Sequence, residues 1–249
     1  MGDRWSPFTI ASCPGEGLLL QVSWANPYGI SGLDAGRIGL RYGWMKASSA
    51  VSIGLLQTPT PFREAHIAGS VSFEAAEGLV LGAEAAHASL MDDKGSFAGE
   101  SSVSLGVAFS GCGWLEVGCA VETSIDVAAE GIGPGGGPRH AAFVWGLGVP
   151  AVDGVVFVME EDRRDGWVSR KVGGEISWPG VMAVRAGVSD SPFTVCLGVG
   201  VLTGKTRLDA ALVEHEALGM TPHGTISYST FRSRKDGAAP DEKAPRGSK

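Results

Sequence analysis

A glycine-rich stretch in the middle of the chain has the spacing of a nucleotide-binding motif. Gly131, Gly133 and Gly136 form a GxGxxG pattern, in which backbone amides can approach a pyrophosphate closely. That fingerprint requires a strand before it and a helix after it, and Pro134 and Pro138 are incompatible with the helix. We therefore interpret the stretch as a loop and predict no nucleotide cofactor.

Other catalytic and metal-binding patterns are incomplete. Residues 204–206 (Gly-Lys-Thr) resemble the end of a phosphate-binding loop, but Val199 occupies the position that requires the first glycine. The five histidines show no HExxH or paired metal-ligand spacing, and no GxSxG nucleophile elbow occurs. A Ser-His-Asp group assembled from neighbouring strands would leave no spacing signal, and His87 and His140 are its candidates. We predict no enzymatic activity, no catalytic residue, no metal and no cofactor.

Charged side chains recur at positions that alternate with large apolar residues. The cations and anions are nearly balanced: Arg37, Arg41, Lys171, Arg185 and Arg207 are opposed by Glu74, Glu84, Glu116, Glu122, Glu175 and Asp209. A charge inside a protein is costly without a partner, so this set favours an internal ion-pair network that lines a lumen. A polar conduit or a binding site is the functional alternative for the same residues.

A period of two defines the elements that must position these charges. In residues 37–44 the even positions are large and apolar, whereas the odd positions are arginine or glycine. Residues 103–109, 115–122 and 193–201 repeat the pattern, with mostly Gly, Ser, Ala and Glu on the second face. Water-exposed faces of soluble sheets are richer in Lys, Glu, Thr and Gln, so this face is typical of a crowded interior. The apolar face is then the one that contacts lipid.

The composition agrees with a large all-β fold. The 249 residues include 38 glycines, about twice the usual share, and a curved barrel with a close-packed lumen wall would account for them. Hydrophobic residues make up 44% of the chain, yet no segment approaches the roughly 20 consecutive apolar residues of a membrane helix. The net charge of -7 argues against nucleic acid as a partner, because phosphate recognition needs a concentrated basic surface.

These patterns predict an all-β protein, an antiparallel transmembrane β-barrel of about 14 strands, within a range of roughly 12 to 14. We divide the chain into an N-terminal segment (1–35), in which residues 17–24 are either a strand or part of a plug, a barrel (36–231) and a disordered polar tail (232–249). Short breaks, expected to be periplasmic turns, alternate with longer outer loops, which we predict at residues 58–65, 91–100, 124–140, 160–166, 189–192 and 215–223.

Several short stretches of the chain form recognisable sequence elements. Asn26, Pro27 and Gly29 lie in an NPYGIS stretch that is similar to an NPAGLAGL element, with Tyr28 in place of the usual alanine. Leu218, Gly219, Thr221 and His223 resemble a terminal LGxTH element, with Pro222 inserted. Further such stretches are VGGEI (172–176), AVRAGVSD (183–190), residues 193–201 and RLDAAL (207–212). Together they resemble the sequence elements of the PorV/PorQ-like outer-membrane barrels, which are part of the FadL-like superfamily.

The resemblance implies a barrel in the bacterial outer membrane, in contact with outer-membrane lipid. PorV/PorQ-like members serve protein secretion and surface attachment, so the implied partner is a secretion-system or cargo protein. Leu218, Met220 and the loop at 124–140 are the candidate surface for that partner. FadL-like members instead pass hydrophobic small molecules, which is the alternative function, and a soluble β-sandwich binding module is the second alternative.

An exported barrel is expected to begin with a secretory leader, which this sequence does not display. The only apolar stretch near the start is residues 8–11, which is shorter than the hydrophobic region of a signal peptide. A start codon further upstream, or prior removal of the leader, would account for this.

A closed barrel leads to the first testable prediction. Because every backbone group in it is paired and no sheet edge is exposed, the folded protein should resist SDS until it is boiled. Unheated and boiled samples should therefore migrate differently on a gel. Identical migration, together with extraction in buffer without detergent, would favour the soluble β-sandwich instead.

Overall fold

A computed structural model describes residues 16–60, 62–92, 95–110, 115–128, 140–152, 154–164 and 166–231. The chain forms one closed antiparallel barrel in which every strand pairs with its sequence neighbours and β1 pairs with β14. Within the described ranges, no helix is long and apolar enough to cross a membrane. The strands are β1 (Gly17–Ala25), β2 (Asp34–Trp44), β3 (Ala47–Gln57), β4 (Arg63–Ala76), β5 (Leu79–Asp92), β6 (Gly95–Phe109), β7 (Glu116–Ala128), β8 (His140–Val152), β9 (Val155–Arg164), β10 (Trp167–Trp178), β11 (Met182–Asp190), β12 (Phe193–Thr203), β13 (Thr206–His215) and β14 (Gly219–Ser229).

The architecture confirms the predicted transmembrane β-barrel, but the barrel begins earlier in the chain than predicted. β1 lies within the segment assigned to residues 1–35, and it pairs with both β2 and β14. The boundary at residue 36 is therefore wrong, and Gly17–Ala25 is a wall strand rather than a plug. Without β1, the edges of β2 and β14 would present unpaired backbone groups to lipid. The predicted tail at 232–249 and residues 1–15 lie outside the described residues.

The connections between strands lie on two rims. At the turn rim β1 begins and β14 ends, and the fully described connections there are 45–46, 77–78, 179–181 and 204–205. The loop rim is the opposite end of the barrel, where β1 ends and β14 begins, and the fully described connections there are 26–33, 191–192 and 216–218.

The predicted loops at 91–100, 160–166 and 215–223 are largely strand. β5 and β6 are separated only at 93–94, β9 continues to Arg164, and β14 begins at Gly219. These strand ends carry charged and polar side chains, so the apolar alternation that marks the rest of each strand fades there. Hydrophobicity alone consequently underestimates how far the strands extend.

The distribution of side chains is the reverse of that in a soluble protein. Large apolar residues at alternate positions point outward and are exposed, including Ile53, Leu105 and Leu197 at 56%, 63% and 59%. The buried apolar residues are small and lie on the inner face: Ala25, Ala68, Val80, Ala120, Ala142 and Ala183. A curved inner wall is crowded, which favours short side chains there, while the bilayer solvates the outer face.

Leu197 tests the lipid-facing assignment because it lies near the middle of β12 and points outward. Replacing Leu197 with Arg should lower the free energy of unfolding by about 2 to 4 kcal/mol, since a guanidinium near the bilayer midplane loses its hydration. Urea unfolding of the protein in lipid vesicles, followed by tryptophan fluorescence, measures the change.

The matched control is Gln21→Arg. Gln21 pairs with Gly39 and Ser227 on the inner face of β1 and is exposed to the lumen, so this change should cost much less. Equal losses of stability in the two variants would contradict the assignment of Leu197 to the lipid face.

Candidate functional site

Four of the predicted charged residues form a continuous group on the lumen wall. Arg185 on β11 donates hydrogen bonds through Nε to Glu175 on β10 and through Nη1 to Asp209 on β13, at 2.5 and 2.7 Å. Arg207 on β13 donates to both carboxylate oxygens of Asp209 at 3.0 Å, and its Nη2 lies 4.0 Å from Glu175 Oε2. We call these four residues the lumen ladder. Each charge in the ladder faces an opposite one, so the desolvation cost of the group is offset locally.

Glycines on the intervening strand β12 allow the lumen ladder to form. Gly198 is opposite Arg185, and Gly200 is opposite Asp209, so Arg185 must cross β12 to reach its second carboxylate. A Cβ atom built on Gly200 would collide with Asp209 Oδ1 and would lie 3.2 Å from Arg207 Nη2. A side chain at Gly200 would therefore force the Asp209 and Arg207 side chains to shift from their positions in the ladder.

The predicted arginines of β2 bind hydroxyl groups on the neighbouring wall. Arg37 donates to Ser52 Oγ at 2.8 Å, and Arg41 donates to Ser48 Oγ at 3.0 Å. Ser48 Oγ lies 2.7 Å from Ser72 Oγ, which extends this polar group across β3 to β4.

The remaining predicted charges occupy inner positions on β4 to β7 and on β10. Glu74 and Glu84 are buried, and Glu84 Oε2 has no hydrogen-bond partner among the described residues. Glu116 is exposed beside Gly148. Glu122 accepts a hydrogen bond from Arg164 at 3.0 Å, and Lys171 donates one to Glu160 at 2.7 Å. Arg164 and Glu160 were not predicted, because residues 160–166 were interpreted as a loop and so were assigned to neither face.

Glu161 is a further charge that the sequence did not indicate, and it lies on the outer face. It is 5% exposed because Arg163, Arg170 and Trp145 cover it, donating hydrogen bonds at 2.7, 3.0 and 3.2 Å. The group lies close to the end of β9 at the loop rim, where charges on the lipid face of a barrel cost little.

The two stretches that carry the family resemblance meet at the loop rim. Asn26 N–H donates to the carbonyl oxygen of Pro222 at 3.2 Å, and Tyr28 N–H donates to Thr221 Oγ1 at 2.8 Å. Pro27 and Gly29 form the short 3₁₀ turn that holds Tyr28, and His223 pairs with Ala25 in the β1–β14 register.

The surface predicted to meet a protein partner is described only in part. Leu218 lies in the connection at 216–218 and Met220 lies at the start of β14; both are exposed, at 50% and 56%. Gly219 begins β14 between them. Of the predicted loop at 124–140, residues 129–139 lie outside the described residues. The partner surface therefore stays a prediction.

The residues considered for metal binding and for a Ser-His-Asp group are described in part. No group of three or more His, Cys, Asp or Glu in the described part of the chain is placed to hold a metal ion. His87 Nδ1 lies 2.9 Å from Ser101 Oγ, which is a hydrogen bond between neighbouring strands and not by itself a triad. The side chain of His140 lies outside the described residues.

The fold and the inner charges define a transmembrane β-barrel with a polar lumen. No protein-family model and no curated protein matches the sequence. Among solved structures, the CymD monoaromatic hydrocarbon channel is similar, with a TM-score of 0.63, 12% identity and 91% of each chain covered. The Pseudomonas putida toluene transporter TodX gives a TM-score of 0.60 at 11% identity over 90% of each chain. A mutant of the Rh. blastica porin gives 0.50 at 9% identity, covering 86% of this chain and 98% of the porin.

At such low identity these similarities establish the fold. They agree with the predicted closed barrel, and at this level of identity the relation to the FadL-like superfamily stays a prediction. The finer assignment to PorV/PorQ-like proteins stays a prediction, and the secretion role gains no support from these comparisons.

Gly200 provides a test of the lumen ladder. Replacing Gly200 with Ala should lower the free energy of unfolding by up to about 1 kcal/mol, because the new methyl group displaces the Asp209 carboxylate from Arg185 and Arg207 and weakens partly exposed ion pairs. Gly224→Ala is the matched control on β14, since no atom lies within 4 Å of a Cβ built there. Denaturation in vesicles should show no loss for Gly224→Ala. A similar loss in both variants would mean that the ladder does not depend on the space at Gly200.

Proposed function

We propose that the protein is a passive outer-membrane channel for small hydrophobic molecules, of the size of monoaromatic hydrocarbons. The observation that carries this proposal is the similarity in fold to CymD and TodX along nine-tenths of both chains. CymD is described as a monoaromatic hydrocarbon channel and TodX as a toluene transporter.

The inner wall is compatible with the passage of small uncharged molecules. The lumen ladder contains two cations and two anions, and the Glu122–Arg164 pair contains one of each. Because each group is balanced within itself, neither creates a strong electrostatic field that favours free ions of one sign. Short residues such as Gly198 and Ala211 face the lumen beside the ladder and leave space there. Passage would then depend mainly on the size of the molecule and on the cost of removing it from water or lipid.

The proposed orientation follows the arrangement of known outer-membrane barrels. The turn rim, which carries both described ends of the barrel, would face the periplasm, and the loop rim would face the exterior. The group around Glu161 would then lie at the level of the outer headgroups.

The secretion role is the weaker candidate. It rests on the short stretches that resemble PorV/PorQ-like proteins, whereas the channel role is supported by fold similarity over the whole barrel. No described contact favours a protein cargo over a small molecule.

Adjacent positions on β13 offer a direct test of the channel. Ala211 is opposite Gly198 and His223 on the inner face, whereas Ala210 is opposite Val199 and Gly224 on the outer face. Replacing Ala211 with Trp should reduce hydrocarbon uptake, because the indole fills space in the lumen. Initial uptake of radiolabelled toluene by cells that lack their own hydrocarbon channels measures the effect.

Ala210→Trp is the control, since it adds the same side chain to the lipid face and should leave uptake unchanged. Intact cells are needed because hydrocarbons cross simple phospholipid bilayers without a channel. Failure of the wild-type protein to raise uptake above that of cells without it would overturn the proposed function. Equal uptake by both variants would show that the molecules do not pass through this part of the lumen.

A further inference from the structure

The connection between β1 and β2 at 26–33 folds over the inner side of the barrel wall. Tyr28 N–H donates to the side chain of Thr221 at 2.8 Å, and the Tyr28 ring meets the His215 ring edge-on, with centroids 5.9 Å apart. Thr221 alternates with the outward-facing Met220, and His215 alternates with Glu214, which is opposite Met220. Thr221 and His215 therefore face the lumen, and Tyr28 lies on the lumen side of β13 and β14.

The side chain of Asn26 holds this connection in shape. Its amide Nδ2 lies within hydrogen-bond distance of the carbonyl oxygens of Ile30 and Leu33, at 3.1 and 3.0 Å, and of Asp34 Oδ1, at 3.1 Å. Backbone hydrogen bonds from Gly29 to Asn26 and from Ile30 to Pro27 close the turn. Contacts on both sides of Tyr28 thus fix the backbone that carries its ring.

The backbone at Tyr28 has a conformation that disfavours a side chain. Its φ of 59° and ψ of 17° are in the left-handed region, which glycine adopts readily and which is strained for a tyrosine. The neighbouring Gly29 has a similar φ of 63°. Strained residues that the surrounding structure holds in place are often functional, and here the strain aims an aromatic ring at the lumen mouth.

We propose that Tyr28, backed by His215, is a specificity-determining residue that limits the size of molecules entering the lumen at the loop rim. This proposal rests on the proposed channel function and deepens it. Tyr28 is half-buried, and its ring packs on His215, which leaves the residue partly open to a molecule that enters the lumen. A flat aromatic ring at this point allows small planar apolar molecules to slide past and obstructs bulkier ones.

The test compares Tyr28→Gly with Tyr28→Phe in purified, refolded full-length protein. Glycine removes the ring and suits the left-handed backbone, so the variant should fold and keep its heat-dependent gel shift. Swelling of liposomes in sugars of increasing size should become several-fold faster for the larger sugars with Tyr28→Gly. Tyr28→Phe keeps the ring and should behave as the wild type does. Tyr42→Ala is the second control, because Tyr42 is 55% exposed on the outer face.

The outcomes separate this inference from the proposed function. An unchanged size limit in Tyr28→Gly, with the gel shift intact, would overturn the role of Tyr28, and faster swelling in Tyr42→Ala as well would do the same. If the size limit rises but the wild type fails to raise toluene uptake in cells, the hydrocarbon-channel function fails while Tyr28 remains the limiting residue at the mouth. If toluene uptake is present and the size limit does not move, the channel stands and the inference about Tyr28 fails.

Discussion

Pairing between β1 and β14 is the interaction on which the rest of this structure depends. In a bilayer no water is available to bind the backbone, so an open sheet edge is excluded and the first and last strands must meet. The seam runs in register from Leu19–Ser229 to Ala25–His223. At the turn rim, Leu18 and Thr230 extend the seam. The Leu18 N–H donates to Thr230 Oγ1, and the Thr230 N–H donates to the carbonyl oxygen of Leu18, both at 2.8 Å. Closure pairs the backbone groups at the free edges of β1 and β14, and it encloses the lumen.

Closure has a consequence for the inner wall, because a small closed barrel crowds its inward side chains. Glycine and alanine occupy many of these positions, and charged residues are tolerated where an opposite charge lies within reach. The path of Arg185 across β12 illustrates the link, since Gly200 provides the space in which Asp209 and Arg207 meet it. Backbone curvature, small residues and ion pairs therefore depend on one another, and a change in one is expected to affect the others.

The same seam organises the loop rim. Asn26 follows β1 directly and continues the pairing with β14 through the carbonyl group of Pro222. Tyr28 is carried from there onto the inner side of the wall, against Thr221 and His215. This part of the lumen mouth is thus built from residues that are far apart in the sequence.

The amino-acid sequence by itself determined which face contacts lipid in the strands that alternate strongly. Alternation in a stretch such as residues 37–44 is a local property with a period of two, so Ile38 and Trp44 could be assigned outward without knowing any neighbour. It also indicated the barrel class and many, though not all, of the charged residues of the lumen. The strand ends were underestimated, because polar residues near the rims break the apolar alternation without ending the strand.

Only the tertiary structure decided which residues meet. β1 could not be recognised as a wall strand until its pairing with β14 was known, and Arg164 could not be matched to Glu122, which lies 42 residues earlier. Tyr28 and Thr221 are separated by 193 positions, and their contact follows from closure of the whole barrel. Register between strands is set by the sum of many backbone and side-chain pairings, so no local pattern specifies it.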